Sequence, residues 1–159
     1  MTETATLAGG CFWGVEELLR KLPGVVDTSV GYAGGTLKNP RYEDVKTGRT
    51  GHAESLQIVF DPQTVSYDEI LDHFFRLHDP TTKDRQGNDV GSQYRSAIFV
   101  HDDAQRAAAE RAVTRAQEKW QRPITTQIVP FTEFWNAEDY HQDYLQKYPN
   151  GYTCHYYRF

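Results

Sequence analysis

Sulfur is the scarcest resource in this chain. Its 159 residues hold two cysteines, Cys11 and Cys154, and one methionine, Met1. Two cysteines near opposite ends are not the dense framework of a small secreted domain, so a disulfide scaffold is excluded. No cysteine or histidine pair has the tight spacing of a zinc site, and His73 and His78 are too far apart in register to share one helix face. No metal is expected. Positive charge is also short: 17 Lys and Arg against 22 Asp and Glu leave a formal net charge of −5. That argues against nucleic acid as a partner, because phosphate binding needs clustered cations. No stretch approaches the roughly 18 apolar residues of a membrane span, so no membrane partner is expected. Met1 to Ala8 lacks the basic start and apolar run of a signal peptide, and the expected compartment is the reducing cytoplasm. There is no phosphate-binding loop and no dinucleotide glycine fingerprint, and no cofactor is expected.

What is present is a globular composition rich in rings. Hydrophobic residues make up 38%, charged residues 25% and aromatics 13% of the chain. That length and balance suit a single domain over residues 1–159, with 149–159 a short aromatic tail. No extended apolar patch calls for an obligate dimer, so a monomer is expected. The pattern predicts a strand over Thr4–Ala8 and, after Gly9-Gly10, a helix over Phe12–Lys21 ended by Pro23-Gly24. A strand follows over Val25–Tyr32, a long loop over Ala33–Gly51, and a clear strand over Ala53–Phe60. Ser66-Tyr67-Asp68-Glu69 is a capping box opening a helix to Leu77. A second polar loop covers Asp79–Ser92, then a strand Gln93–His101, a helix Asp102–Trp120, a strand Ile124–Val129 and a last helix Ala137–Lys147. This alternation predicts an α/β (α+β) two-layer sandwich with a mixed sheet, a relative of the ferredoxin-like arrangement. The two long loops exceed ordinary connections, and loops of that size tend to carry function.

Seven residues stand out chemically. Cys11 follows two glycines at the start of a helix, where free N–H groups and the helix dipole favour a thiolate, so a lowered pKa and a nucleophilic sulfur are expected. The plain alternative is an inert small hydrophobe. Glu54 shares strand parity with Leu56, Ile58 and Phe60, so its carboxyl faces the apolar side. Burial there would raise its pKa and make it a general acid, whereas a rim position would leave it solvated. Tyr42 and Tyr94 border the two long loops, and Tyr94 has the parity of Ile98 and Val100. A buried tyrosine hydroxyl can donate to a developing oxyanion, or simply cap a core aromatic. Asp89 lies in Gly87-Asn88-Asp89, which is also ordinary turn chemistry. Phe12 and Trp13 point about 100° apart on a helix, so both cannot face the core and one is free to line a site.

Gly10-Cys11-Phe12-Trp13-Gly14 closely resembles the active-site signature of the A-type peptide methionine sulfoxide reductases. Further blocks resemble that family in the same order: Gly31-Tyr32-Ala33-Gly34-Gly35, Asn39-Pro40-Arg41-Tyr42, Thr50-Gly51-His52-Ala53-Glu54, Arg85 to Asp89, Gln93 to Ser96, and Ala137 to Gln142. The resemblance spans roughly residues 5 to 152. It implies thiol-dependent reduction of methionine-S-sulfoxide, free or in proteins. It implies Cys11 as nucleophile, Glu54 as acid, Tyr42 and Tyr94 as hydroxyl donors, and Asp89 as a further polar residue. Phe12 and Trp13 would form the wall for the substrate methyl group. It also implies a sulfenic acid on Cys11, resolved by Cys154 and reduced by thioredoxin, in a protein-repair role under oxidative stress. The tail departs from many relatives, which end in a glycine-rich stretch with two cysteines; here it is short, aromatic and carries one. The residues alone also suit a thiol peroxidase or a non-catalytic aromatic pocket. Turnover of hydroperoxide, or indifference to loss of Cys11, would single these out.

Overall fold

A computed structural model describes residues 1–159. Eight strands and five helices follow in order. These are β1 Glu3–Gly9, α1 Phe12–Leu19, β2 Val25–Ala33, α2 Tyr42–Val45, β3 Ala53–Phe60 and α3 Tyr67–Leu77. Then come β4 Arg85–Gln86, β5 Asp89–Val90, β6 Ser96–Val100, α4 Asp103–Gln117, β7 Gln127–Pro130, β8 Phe134–Asn136 and α5 Tyr144–Lys147. Six strands form one mixed sheet in the order β7-β6-β1-β3-β2-β8, and β4 and β5 form a separate two-stranded hairpin. β6 and β7 pair in parallel, and the other pairings are antiparallel. The observed class is a mixed α+β fold.

Strand alternation explains where the core sits. Ala5 and Leu7, Val30 and Tyr32, Leu56, Ile58 and Phe60, and Ile98 and Val100 project to one side. There they join one buried cluster with Phe12, Val15 and Leu19 of α1, Ile70, Leu71, Phe74 and Phe75 of α3, and Ala108, Ala109 and Ala112 of α4. Each fully buried large side chain of this set contributes about 1.5–3 kcal/mol of transfer free energy. Ala8, Ala33, Ala53, Ala97 and Phe99 make a smaller cluster with Val129, Phe131 and Phe134 partly covering it.

The expected β3 strand and the α3 capping box are found as read: Ser66 Oγ accepts from the Glu69 N–H at 3.0 Å, and the Glu69 carboxylate accepts from the Ser66 N–H at 3.3 Å. Other expectations need correction. The loop 33–51 contains the single-turn helix α2, and the loop 79–92 contains the β4–β5 hairpin. The strand expected over 93–101 begins only at Ser96, because Ser92–Tyr94 forms a 3₁₀ turn. β7 starts three residues later than expected, at Gln127, and β8 was not expected. The continuous helix expected over 137–147 is instead a 3₁₀ turn at Asp139–His141 followed by the one-turn α5.

Candidate active site

β1 delivers the first group. It ends at Gly9, and Gly10 turns the chain with φ +96, a region L side chains avoid. A Cβ on Gly10 would also stand 2.6 Å from the Gln86 side chain. The turn leaves Cys11 as the N-cap residue of α1, only 8% exposed. β3 neighbours β1, and two residues past the last registered pair, Leu7 with Leu56, the strands reach Gly9 and Glu54. Glu54 is therefore held beside the Cys11 turn by the sheet itself. It is 2% exposed and accepts from the Phe12 N–H at 3.2 Å.

Cys11, Phe12, Trp13, Tyr42, Glu54, Asp89, Tyr94 and Tyr152 line one cavity of about 100 Å³. At roughly 30 Å³ per water, it has room for a small polar head group rather than a large ligand. A wider groove between α3, α4 and Phe159 holds neither cysteine and no carboxylate but Asp72.

Burial dominates the electrostatics. It raises the Glu54 carboxyl to about 8, against the opposing Phe12 N–H and with help from the charge of Asp89. It also raises the Cys11 thiol well above its ordinary value, aided by the Glu54 charge, while the Trp13 amide pulls the other way. The expected lowering of the Cys11 pKa is thus reversed. Burial likewise pushes Tyr42 up to about 12 and raises Tyr94, with Glu54 the next contributor to each. Asp89 is raised by burial and accepts from the Tyr152 hydroxyl at 3.2 Å.

Tyr42 is fixed from behind: its N–H donates to Glu138 Oε2 at 2.9 Å, and Glu138 Oε1 accepts from the Tyr32 hydroxyl at 2.9 Å. The two aromatics after Cys11 divide their roles. The Phe12 ring is buried against Tyr32 and His141, with centroids at 5.8 and 5.2 Å. Trp13 is half-buried, stacked on Tyr144 at 3.7 Å, and its Nε1–H donates to His141 Nδ1 at 3.0 Å. Tyr94 reaches the cavity from the 3₁₀ turn, not from a strand as its parity suggested.

Cys154 does not line the cavity. It is partly buried and, like Cys11, a free thiol. Its neighbour Tyr152 does line it, and sequence reasoning missed that residue, along with His141, Tyr144 and Glu138. The only local signal for Tyr152 was the density of rings in the tail.

Comparison with known proteins bears on this constellation. A family model described as "Peptide methionine sulfoxide reductase" matches residues 3–158. The chain is 54% identical over 160 residues to "Peptide methionine sulfoxide reductase MsrA" of Nocardia farcinica, covering 98% of this chain and 92% of that protein. Its structure is similar to that of Mxr1 from Saccharomyces cerevisiae in reduced form, with a TM-score of 0.95, 43% identity, and 99% and 93% of the two chains covered. It is also similar to Mxr1 in complex with Trx2, with a TM-score of 0.68, 33% identity, and 99% and 91% covered.

Proposed function

The chain belongs to the peptide methionine sulfoxide reductase family, and from that premise we propose that it reduces methionine-S-sulfoxide through Cys11, with Glu54 as acid and Cys154 as resolving thiol. The observation that carries the reading is the single cavity: a sulfur nucleophile, a buried carboxyl and two tyrosine hydroxyls converge on a space the size of a methyl sulfoxide head, beside Phe12 and Trp13. The central strands β6-β1-β3-β2, all antiparallel neighbours, support a ferredoxin-like ancestry of the fold. We read residues 1–159 as one domain, with 149–159 as its tail.

Each step balances. The sulfoxide oxygen is a poor leaving group until it is protonated. With its pKa near 8, Glu54 is mostly a neutral acid at pH 7 and can donate to that oxygen. A neutral Glu54 also removes the charge that opposes a thiolate on Cys11, so the two groups titrate as a pair. The Cys11 sulfur attacks the substrate sulfur, and Tyr42 and Tyr94 donate hydrogen bonds to the oxygen as its charge develops. The S–O bond to the methionine sulfur and the transient bond between the two sulfurs break as an S–O bond forms on Cys11. Methionine leaves, the oxygen keeps the proton from Glu54 as sulfenic acid on Cys11, and the former thiol proton of Cys11 returns to Glu54. Cys154 then condenses with that sulfenic acid to a disulfide, releasing water. A thioredoxin reduces the disulfide by exchange, a reductant supported by the neighbour solved with Trx2.

Thioredoxin-coupled turnover of the two epimers of a blocked methionine sulfoxide tests this. Turnover of the S epimer, abolished in Cys11→Ser, is expected. Turnover of the R epimer alone, or an active Cys11→Ser variant, would overturn the reading.

A further inference from the structure

The chain's last residues return to the turn that carries Cys11, and the contact is made by His155. This side chain is 5% exposed, and its Nε2 lies 2.7 Å from the Gly9 carbonyl oxygen. A carbonyl only accepts, so Nε2 carries the ring proton and Nδ1 is left as a bare lone pair. That lone pair lies 3.9 Å from the Cys154 sulfur, whose other partners are the Gln86 carbonyl, also at 3.9 Å, and the Tyr152 hydroxyl. The ring packs closely on the Gly14 backbone: a Cβ added there would stand 2.2 Å from Nδ1 and 2.4 Å from Thr153 Oγ1. The His155 N–H donates to that same Thr153 hydroxyl at 3.1 Å, which sets the local backbone. Burial holds the imidazole neutral at ordinary pH, its pKa lowered to about 4, so the lone pair stays available.

Cys154 is therefore strung between two tethers. On one side Tyr152 is bonded to Asp89 in the cavity wall; on the other His155 is bonded to Gly9, two residues before Cys11. We propose that His155 is a positioning residue for the resolving step, clamping the Cys154 segment to the turn that carries the nucleophile and accepting from the Cys154 thiol. The inference rests on the reading of Cys154 as the resolving thiol. In that step the S–H bond of Cys154 and the S–O bond of the Cys11 sulfenic acid break. An S–S bond forms, and the thiol proton leaves with the hydroxyl as water. No further oxidant is needed. Holding the two sulfurs on hydrogen-bonded neighbours raises their effective concentration, and loss of such placement costs rate rather than chemistry.

Single turnover of the full chain without reductant separates the steps. Released methionine reports the first, a dimedone-type trap reports sulfenic acid, and mass mapping reports the disulfide. His155→Ala is expected to release its one equivalent of methionine at the unaltered rate. Its disulfide should form about tenfold or more slowly, with sulfenic acid accumulating in the trap. His155→Gln, whose amide N–H can reach the Gly9 carbonyl, is expected to recover most of the disulfide rate, whereas the shorter His155→Asn should not. Disulfide formation at the full rate in His155→Ala would overturn the proposal. So would an equal loss of both steps, which would mean that the ring merely props the Cys11 turn, or a failure of Gln to rescue. If the unaltered protein releases methionine while Cys154 stays alkylatable, the resolving role of Cys154 itself falls.

Discussion

Two opposing forces act on the Cys11 sulfur, and their sizes decide the outcome. A helix N-terminus contributes about 0.3–1 kcal/mol in favour of an anion, and up to about 2 in partly buried settings. Burial can shift a pKa by up to about 3–5 units, each about 1.36 kcal/mol. The first force is visible in a linear string; the second exists only once β3, α1 and the hairpin have closed around the thiol. That is why the place of Cys11 at the helix start was legible from its setting while the direction of its pKa was not. Glu54 was legible in both respects, since parity with Leu56, Ile58 and Phe60 foretold its burial. Tyr94 lines the cavity from a turn and not from the strand its parity suggested, and Tyr152 is joined to the cavity by no local pattern. In its proposed role as acid Glu54 must be protonated, so its contribution is present below about pH 8 and lost as pH rises through that value. Single-turnover methionine release should fall along that limb. Glu54→Gln should lower the rate by about 10²–10⁴-fold and abolish the limb, while substrate binding measured by equilibrium dialysis persists. A Gln variant that keeps both the rate and the limb would remove Glu54 from the chemistry.

Segments show where local pattern stops governing structure. The capping box at Ser66 is self-contained, so it could be read directly, and Ser66→Ala should cost about 1 kcal/mol of stability in urea unfolding. The stretch 137–147 has helical periodicity but is claimed by distant partners. Gln142 turns its amide onto both the N–H and the carbonyl of Val30, at 2.9 and 2.8 Å. Asp143 takes a left-handed conformation, φ 53, with its N–H donated at 2.8 Å to the buried carboxylate of Glu16. These tertiary bonds interrupt the helix, and nothing in the segment itself announces them. Gly14 illustrates the same conflict inside α1. Alanine there should gain up to about 1 kcal/mol of helix propensity. Its methyl, however, would meet His155 and Thr153 at 2.2 and 2.4 Å. Overpacking of this kind costs about 1–3 kcal/mol, so Gly14→Ala should lower the melting temperature and expose the tail to limited proteolysis. An unchanged melting temperature with an intact tail would contradict that packing.

Across the whole molecule, buried ionisable groups of both kinds bound the range of pH over which the fold is most stable. His78 is fully buried, with Nδ1 2.6 Å from the Phe74 carbonyl and Nε2 2.9 Å from Ser96 Oγ, and its pKa is lowered to about 3. His155 is lowered to about 4. Both contribute stability that is complete above the ordinary histidine value of 6.5 and lost as pH falls toward their folded values. Glu54 acts in the opposite sense: raised from 4.5 to about 8, it favours the fold below 4.5 and loses that contribution as pH rises through 8. Between pH 4.5 and 6.5 the trends oppose one another, but two histidines outweigh one carboxyl, so urea midpoints should rise to a maximum near pH 6.5 and fall above it. The loss from pH 6.5 to 8 due to Glu54 should be about 2 kcal/mol, and Glu54→Gln should flatten it. A midpoint that climbs steadily to pH 8 would contradict this account. The position of Glu54 on β3, beside the end of β1, has one more consequence, in time rather than energy. Amides in such central strands exchange their hydrogens only through the largest openings of a fold, whereas short helices and tails open on their own. Deuterium should therefore enter α2 and residues 149–159 long before β1 and β3. The walls that carry Tyr42 and Tyr152 should then open more readily than the strands that hold Cys11 and Glu54 at their spacing.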